Sequence, residues 1–515
     1  MRARWLLAAV LAAALLFGTW FRVSGLDRKI LWYDEAATYL TLTGHTKGDV
    51  QALYDGRPLR AADLRAFVAP EAVASSPAVV RALIDHEPHN PPAYYLLARA
   101  GARWFGASGP RAVSAIVSVA ALIVMGLLAR AVFGDARAGW LAAALAAVSP
   151  FHVRYGQEAR SYALWSIMVM AASFLLLRAV RNGRWRDCGV YALAAAAALY
   201  THLLSVLVLL AHAIFVGLPI TMSAGRRSRL ALAFAGALLA FAPWAAIIFV
   251  HRDTSRSETA WTMASMSWSE LGHRWIGINT TVFLRSGAEG GLFGPSSEPP
   301  VVLARLALSV SIAALVVVSG YVLVRETTRD AWLFVALLGA VPALGLALPD
   351  LLWGGRRSMV PRFLVPCWIA LELWVAGALA QRMRRQDPRA VAVALALMVA
   401  GAGSVWGAAP LRTWWDTSPH DLKAIDEAAR QINVAADPVV QSDASPLWVL
   451  QLARELRGDV RLQLGTAVDI GHVRAERSLF VYSPSSRLLT IARGARPDLH
   501  LCVHSPEVAL WCTGR

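Results

Sequence analysis

The sequence predicts an α-helical polytopic membrane protein of about eleven transmembrane helices, followed by a small C-terminal α/β soluble domain. Three observations carry this reading. Of 515 residues, 57% are hydrophobic and only 16% charged, and the mean hydropathy of +0.48 is too apolar for a soluble chain of this length. Ala-Leu-Val runs close to the roughly 20 residues that a helix needs to cross a bilayer recur from Trp5 to Ala408. From Ala409 to Arg515 the composition is that of an ordinary soluble domain. The expected division is therefore 1–408, membrane-embedded with an external loop over 22–110, and 409–515, an external α/β domain.

The spans are expected near 5–21, 111–130, 138–153, 160–177, 188–201, 203–221, 230–250, 299–324, 331–348, 363–381 and 390–408. Met1-Arg-Ala-Arg before Trp5–Trp20 has the outline of a signal peptide, but the later spans favour an uncleaved first helix. With the N-terminus cytoplasmic, the arginines at 130 and 137, 178–186, 226–229, 325 and 329, and 382–389 all fall inside, as positive-inside topology requires. Residues 22–110, 154–159, 251–298, 349–362 and the C-terminal domain then lie outside. Pro91–Phe105 is apolar, but Arg99, Arg103 and its short length suit a helix in the interface. A net charge of +16 would raise nucleic acid as a partner for a soluble chain. Placement of the arginines between apolar runs makes that the poorer reading, so no nucleic-acid partner is expected.

The first external loop opens with Leu31-Trp32-Tyr33-Asp34-Glu35-Ala36. An acidic pair in a loop is ordinarily a solvated feature. Here Trp32 and Tyr33 suit the interface and could hold Asp34 partly desolvated at a cavity mouth, able to act as a base. Asp85-His86-Glu87-Pro88-His89-Asn90-Pro91-Pro92-Ala93-Tyr94-Tyr95 is dense in titratable groups, and it also reads as a helix start capped by Asn90. With neither a helical His-x-x-x-His pair nor a nearby cysteine, no metal is assigned there.

Between the third and fourth spans, Ser149-Pro150-Phe151-His152-Val153-Arg154-Tyr155-Gly156-Gln157-Glu158-Ala159-Arg160-Ser161-Tyr162 places two arginines and an acid outside. An anionic ligand would account for them; snorkelling to headgroups is the alternative, and the favoured one for Arg154 alone. Gly354-Gly355-Arg356-Arg357-Ser358-Met359-Val360-Pro361-Arg362-Phe363-Leu364-Val365-Pro366 sets three more arginines in a short outer loop. Guanidinium forks that chelate phosphate are the economical explanation. Tyr200-Thr201-His202 makes a tight outer turn whose histidine is more often structural.

In this order the motifs resemble the GT-C glycosyltransferases typified by protein O-mannosyltransferases and the aminoarabinose transferases that modify lipid A, a glycosyltransferase family 39-like pattern. Trp-Tyr-Asp-Glu, His-x-Pro-Pro-x-Tyr-Tyr, Ser-Pro-Phe-His with Gln-Glu-Ala-Arg-x-Tyr, and Pro-Arg-Phe-Leu-x-Pro together cover most of residues 30–370. The resemblance implies a GT-C fold and a metal-independent inverting transferase with a polyprenyl-phosphate sugar as donor. It implies Asp34 as catalytic base with Glu35 beside it, and Arg160, Arg356, Arg357 and Arg362 at the donor phosphate. Glu158, His89, Tyr94 and His202 fall to the acceptor pocket. Phe363 stands where many members have tyrosine, which removes a hydroxyl. No cofactor is called for, and the expected partners are the donor, a lipid, glycan or protein acceptor, and membrane lipids.

An Ala- and Arg-rich composition points to a bacterial plasma (inner) membrane, with catalytic loops and C-terminal domain periplasmic or extracellular. In that domain, helices are expected over Asp421–Asn433 and Ser445–Leu456 and strands over 438–442 and 478–482. Cys502 and Cys512 could pair across neighbouring strands, and the sequence leaves open whether they are bonded. A lipid flippase or transporter, or a non-enzymatic envelope-assembly protein, are the rival readings. Transporters concentrate polar residues near mid-membrane, whereas these spans are nearly free of charge.

Overall fold

The computed structural model, which describes residues 2–69, 72–218, 224–285, 298–414, 422–466 and 478–513, is mostly helical. In chain order the first helices are α1 (Arg2–Val23), α2 (Tyr33–Leu42), α3 (Lys47–Gln51), α4 (Ala61–Arg65), α5 (Ser76–His86), α6 (Ala93–Phe105) and α7 (Gly109–Phe133). Then come α8 (Ala136–Val148), α9 (Pro150–Gln157), α10 (Tyr162–Asn182), α11 (Trp185–Thr201), α12 (Ser205–Gly217), α13 (Ala224–Val250), α14 (Arg252–Thr259) and α15 (Trp268–Ile278). The last are α16 (Pro299–Glu326), α17 (Arg329–Trp353), α18 (Val365–Arg384), α19 (Pro388–Ala408), α20 (Leu422–Val434), α21 (Pro446–Glu455) and α22 (Ser486–Ala495). Among the described residues there are also six strands, β1 (Pro58–Arg60), β2 (Val439–Ser442), β3 (Arg461–Leu464), β4 (Leu479–Tyr482), β5 (His500–His504) and β6 (Ala509–Cys512).

The chain forms two compact units, one of Met1–Ser24, Glu87–Tyr94 and Arg111–Ala409, the other of Gly25–His86, Tyr95–Pro110 and Pro410–Arg515. In the first, each expected span falls on a helix: α1, α7, α8, α10 to α13 and α16 to α19. Among the described residues, seven helices are long and apolar enough to cross a membrane, and Leu7–Val23, Ala136–Val148 and Ser205–Gly217 are shorter apolar helices. Leu239, Val317 and Val399 are each more than 70% exposed. Large aliphatic side chains stand outward at this frequency where the solvent is lipid, so this is a multi-pass membrane protein. Residues 219–221 of the expected sixth span, and Asp421, lie outside the described residues.

The third span differs from expectation. It ends at Val148, and residues 150–157 form a separate helix instead of running on into a loop. The cause is local: Pro150 has no N–H to give to the preceding turn and sits at the first helical position, while the Ser149 hydroxyl accepts from His152 N at 3.4 Å. The carbonyls orphaned at the end of α8 are met by Arg22 of α1, which donates to Ala146 O (2.7 Å), Ala147 O (2.6 Å) and Gly18 O (2.9 Å), and by Nε to Ser118 Oγ (2.8 Å). Gln157 Nε2 ties the end of α9 to Phe21 O at 2.6 Å and Ser24 O at 2.8 Å.

The close approach of α1 to α8 needs Gly18, since a Cβ there would lie 2.1 Å from Ala147 O. Gly18→Ala must push the helices apart, and the expected result is a loss of about 1–3 kcal/mol, read as a lower thermal midpoint of the solubilised protein. The same region holds one of the few ionisable groups within the nearly charge-free spans: His152 Nε2 and Glu372 Oε2 of α18 are paired at 3.0 Å, with Glu372 fully buried. Their partners lie on other elements, which is why each looks isolated along the chain.

The second unit is built on a six-stranded sheet of order β1-β3-β2-β4-β6-β5. Strands β2, β3 and β4 are parallel, with α21 the crossover from β2 to β3, and β1, β5 and β6 add antiparallel edges. Val439, Leu479, Val481, Leu488 and Ala492 form a core between the sheet and α22. The expected C-terminal elements appear as α20, β2, α21 and β4. Strand β1 was not expected: it comes from the long connection after α1, pairing Pro58 with Gln463 and Arg60 with Arg461. Cys502 and Cys512 are disulfide-bonded across β5 and β6, Cα to Cα 6.0 Å. In the same unit α6 stops at Phe105, and a turn at Gly106 (φ 59°) doubles the chain back, so that Gly109 packs against Gly101 O.

Candidate active site

In the membrane unit the charged motifs converge. Glu87 and Asn90 make a tight turn, with Asn90 N donating to Glu87 O (2.8 Å) and Asn90 Nδ2 to Glu87 Oε2 (2.9 Å). Trp244 Nε1 holds the Pro88 carbonyl at 3.1 Å. The buried Tyr94 hydroxyl meets Ser114 Oγ at 3.0 Å, and Ser114 Oγ reaches Arg160 O at 3.5 Å. Arg160 N closes onto Glu158 O (2.8 Å), a turn that the end of α9 dictates, and its guanidinium lies 4.0 Å from Glu87 Oε2.

Arg154 and Glu158, one turn apart, pair at 2.7 Å. The pair overturns the snorkelling reading of Arg154: a buried carboxylate within reach is a better partner for a guanidinium than a headgroup that its stem would have to stretch to meet. Arg362, itself buried, stacks over the rings of Trp261 (5.3 Å) and Phe363 (5.6 Å). Its charge is felt at Arg154, Tyr155 and His202.

His202, in the turn between α11 and α12, stacks on Trp165 at 4.0 Å and 12°. Burial first, then the charges of Arg160, His89 and Arg362, push its pKa down to about 3. It is therefore neutral at physiological pH. Leu204 N donates to its Nδ1 at 3.3 Å, so the ring proton is on Nε2, which is left as a hydrogen-bond donor.

The three arginines of the late loop separate. Asp350, buried on the last turn of α17, accepts from Ser358 N (2.7 Å), Ser358 Oγ (2.7 Å) and Arg357 Nη1 (2.8 Å). Gly355 (φ 133°) lets the chain pass this carboxylate, because a Cβ there would sit 2.6 Å from Asp350 Oδ1. Arg356 donates from Nε to Trp261 O at 2.8 Å. Thus Arg356 and Arg357 shape the loop, and Arg362 joins Arg160, His89 and His202. Asp350→Asn is expected to speed amide exchange across 354–362 about tenfold, the loss of roughly 1.5 kcal/mol of charge-assisted hydrogen bonding; unchanged protection would refute Asp350 as the organiser of the loop.

Asp34 and Glu35 belong to the second unit, in the first turn of α2. Glu35 is buried and accepts from Trp32 N at 3.5 Å, capping the first turn of the helix with its carboxylate, while Asp34 is half-buried next to it. Thr38 Oγ1 donates to Asp34 O at 3.2 Å. Sequence reasoning passed over Glu87, Asp350 and Trp261 as site residues. For Asp350 a signal existed, an acid near the end of an apolar run, four residues ahead of Gly354-Gly355-Arg356-Arg357. Trp261 lies 101 residues from Arg362 and gave none.

A model of the dolichyl-phosphate-mannose-protein mannosyltransferase family matches residues 89–247, a stretch that holds the His89 and Ser149–Tyr162 motifs and His202. The fold is similar to that of ArnT from Cupriavidus metallidurans, solved bound to undecaprenyl phosphate, with a TM-score of 0.55, 12% identity and 100% of both chains covered. The archaeal oligosaccharyltransferase AglB from Archaeoglobus fulgidus, in complex with an inhibitory peptide and a dolichol-phosphate, matches with a TM-score of 0.48 and 14% identity over 93% of this chain and 69% of that one. No curated protein matches. The chain thus has the GT-C fold, and its similarity is to glycosyltransferases of the protein O-mannosyltransferase and ArnT type.

Proposed function

We propose that this protein transfers a sugar from a polyprenyl-phosphate donor to a cell-envelope acceptor, with inversion, on the outer face of a bacterial inner membrane. The observation that carries the reading is the gathering of buried guanidiniums in the membrane unit, with Arg362 (5.6 Å) and His202 (6.3 Å) both against the Phe363 ring and the charge of buried Arg160 also felt at His202. Burial is the main reason that His202 stays neutral, with the neighbouring positive charges adding to it; those charges favour an anion, and buried arginines are well suited to phosphate oxygens. The family match over 89–247 and the ArnT-like fold support the same chemistry. The disulfide between Cys502 and Cys512 supports an oxidising exterior for the second unit.

In this mechanism Asp34 accepts the proton of an acceptor hydroxyl as that oxygen attacks the anomeric carbon. The bond from that carbon to the phosphate oxygen breaks on the opposite face, so one displacement inverts configuration. Polyprenyl phosphate departs with the bonding electrons, and Arg160 and Arg362 stabilise the charge that develops on it. Glu35 holds the start of α2, and Arg356 and Arg357 serve the phosphate by fixing the loop that presents Arg362. Glu158, His89, Tyr94 and His202 line the acceptor side. The sugar is a hexose or pentose, and the acceptor a lipid, glycan or protein hydroxyl.

The test is to incubate membranes holding the protein with a panel of polyprenyl-phosphate sugars and envelope extract and to follow free polyprenyl phosphate. Release with one donor supports the reading and names the sugar. Absence of release with every donor, alongside transbilayer movement of labelled lipid, would sink it in favour of a flippase.

A further inference from the structure

The helix that carries Asp34 is ten residues long, too short to hold itself in water, so its orientation must come from tertiary contacts. Within the second unit its C-terminal end is held by its own loop, Ala74 N donating to Leu42 O at 2.9 Å and Tyr39 Oη to Ala107 O at 3.1 Å, whereas the end that carries Asp34 is held by the C-terminal segment. Gln451, fully buried on α21, donates from Nε2 to Leu31 O at 3.0 Å, just before the helix starts. Trp448 meets the Tyr33 ring edge-on at 6.5 Å, and the Arg454 guanidinium lies over Tyr39 at 5.5 Å. Trp448, Gln451 and Glu455 stand at i, i+3 and i+7, one face of α21.

The approach to α2 is pinned as well. Ile30 N donates to Arg412 O (2.9 Å) and Lys29 Nζ to Leu411 O (2.6 Å), while Arg412 is itself paired with Asp426 (2.6 Å) and Glu455. Downstream, β1 is stitched to β3, and Arg65 Nε donates to Ala453 O at 3.0 Å. One detail argues against mere packing: Gln451 Oε1 is buried without a hydrogen-bond partner among the described residues. Leaving a buried acceptor unmet is costly, so leucine or methionine would fill the space better. An amide is useful here for the one bond that it makes, to the backbone in front of Asp34.

We infer that the C-terminal α/β domain is the mount for the Asp34 helix, with Gln451 of α21 a positioning residue that sets where the carboxylate stands. The inference deepens the proposed function and rests on it for the role of Asp34. The mount joins the chain's last hundred residues to its first external loop through one sheet, so the domain acts in every turnover, whichever acceptor is used.

Gln451→Met, nearly isosteric but without the donor, tests it in the full-length protein in lipid nanodiscs. Amide exchange in residues 33–42 should accelerate while the membrane helices keep wild-type protection. With the active polyprenyl-phosphate donor, kcat should fall about tenfold or more at unchanged donor KM, since a displacement near 1 Å is enough to cost that much. Trp448→Leu should do the same and serves if the first variant fails to fold. Wild-type exchange at 33–42, or faster exchange there with unchanged kcat, would overturn the mount. Acceleration spread evenly over the sheet would overturn it too, by showing a general stabilising role. If the wild type turns over no donor, the proposed function fails, and the exchange measurement still decides whether α21 holds α2.

Discussion

Asp34→Asn is expected to cut release of polyprenyl phosphate by about 1,000-fold, within the range general-base removal commonly costs. Asparagine keeps the size and the hydrogen bonding of the side chain but cannot take a proton, so donor affinity should hardly change. The neighbouring Glu35→Gln should behave differently. Glu35 is buried and spends its carboxylate on Trp32 N, and glutamine retains an acceptor oxygen for that bond. A modest loss at Glu35 beside near-complete loss at Asp34, with both variants folded to the same extent, is the pattern expected of one base and one cap. Equal activity of Asp34→Asn and wild type would refute the base assignment.

Arg362→Ala is the second large effect, an expected fall of about 100- to 1,000-fold in kcat, the usual consequence of removing one well-placed donor to developing charge. Arg362 is stacked on Trp261 and Phe363, so a lysine in its place would keep the charge but lose the fork and the stacking. Arg362→Lys should therefore recover only a small part of the activity. Arg357→Ala should weaken turnover less, and through the loop, because its guanidinium is committed to Asp350. Pre-steady-state measurement of product release separates the cases: an effect on chemistry at Arg362, an effect on donor binding at Arg357. Identical losses at all three loop arginines would show that they act as one undivided positive patch.

Membrane helices were legible because their determinant is one-dimensional. A run of apolar residues of bilayer length reports burial in lipid whatever its neighbours. The broken third span shows where that reading loses detail. The expected span ran past Val148 to residue 153, although the signal for the break, Ser149-Pro150, was present in the sequence as a motif. What holds the break in place was not, since Arg22 lies more than 120 residues from the Ala146 and Ala147 carbonyls that it meets.

What the sequence by itself determined is therefore the class of molecule, the positions of the spans and the residue types gathered in four ordered motifs, because each depends on local composition. Tertiary structure alone decided which arginine is spent on which carboxylate: Arg154 on Glu158, Arg357 on Asp350, with Arg362 stacked on Trp261. It also decided that residues 58–60 extend a sheet formed four hundred residues later, and that Gln451 meets the backbone before Asp34. Short-range hydrogen bonds and ion pairs act over a few ångströms in space and carry no mark of their partner along the chain.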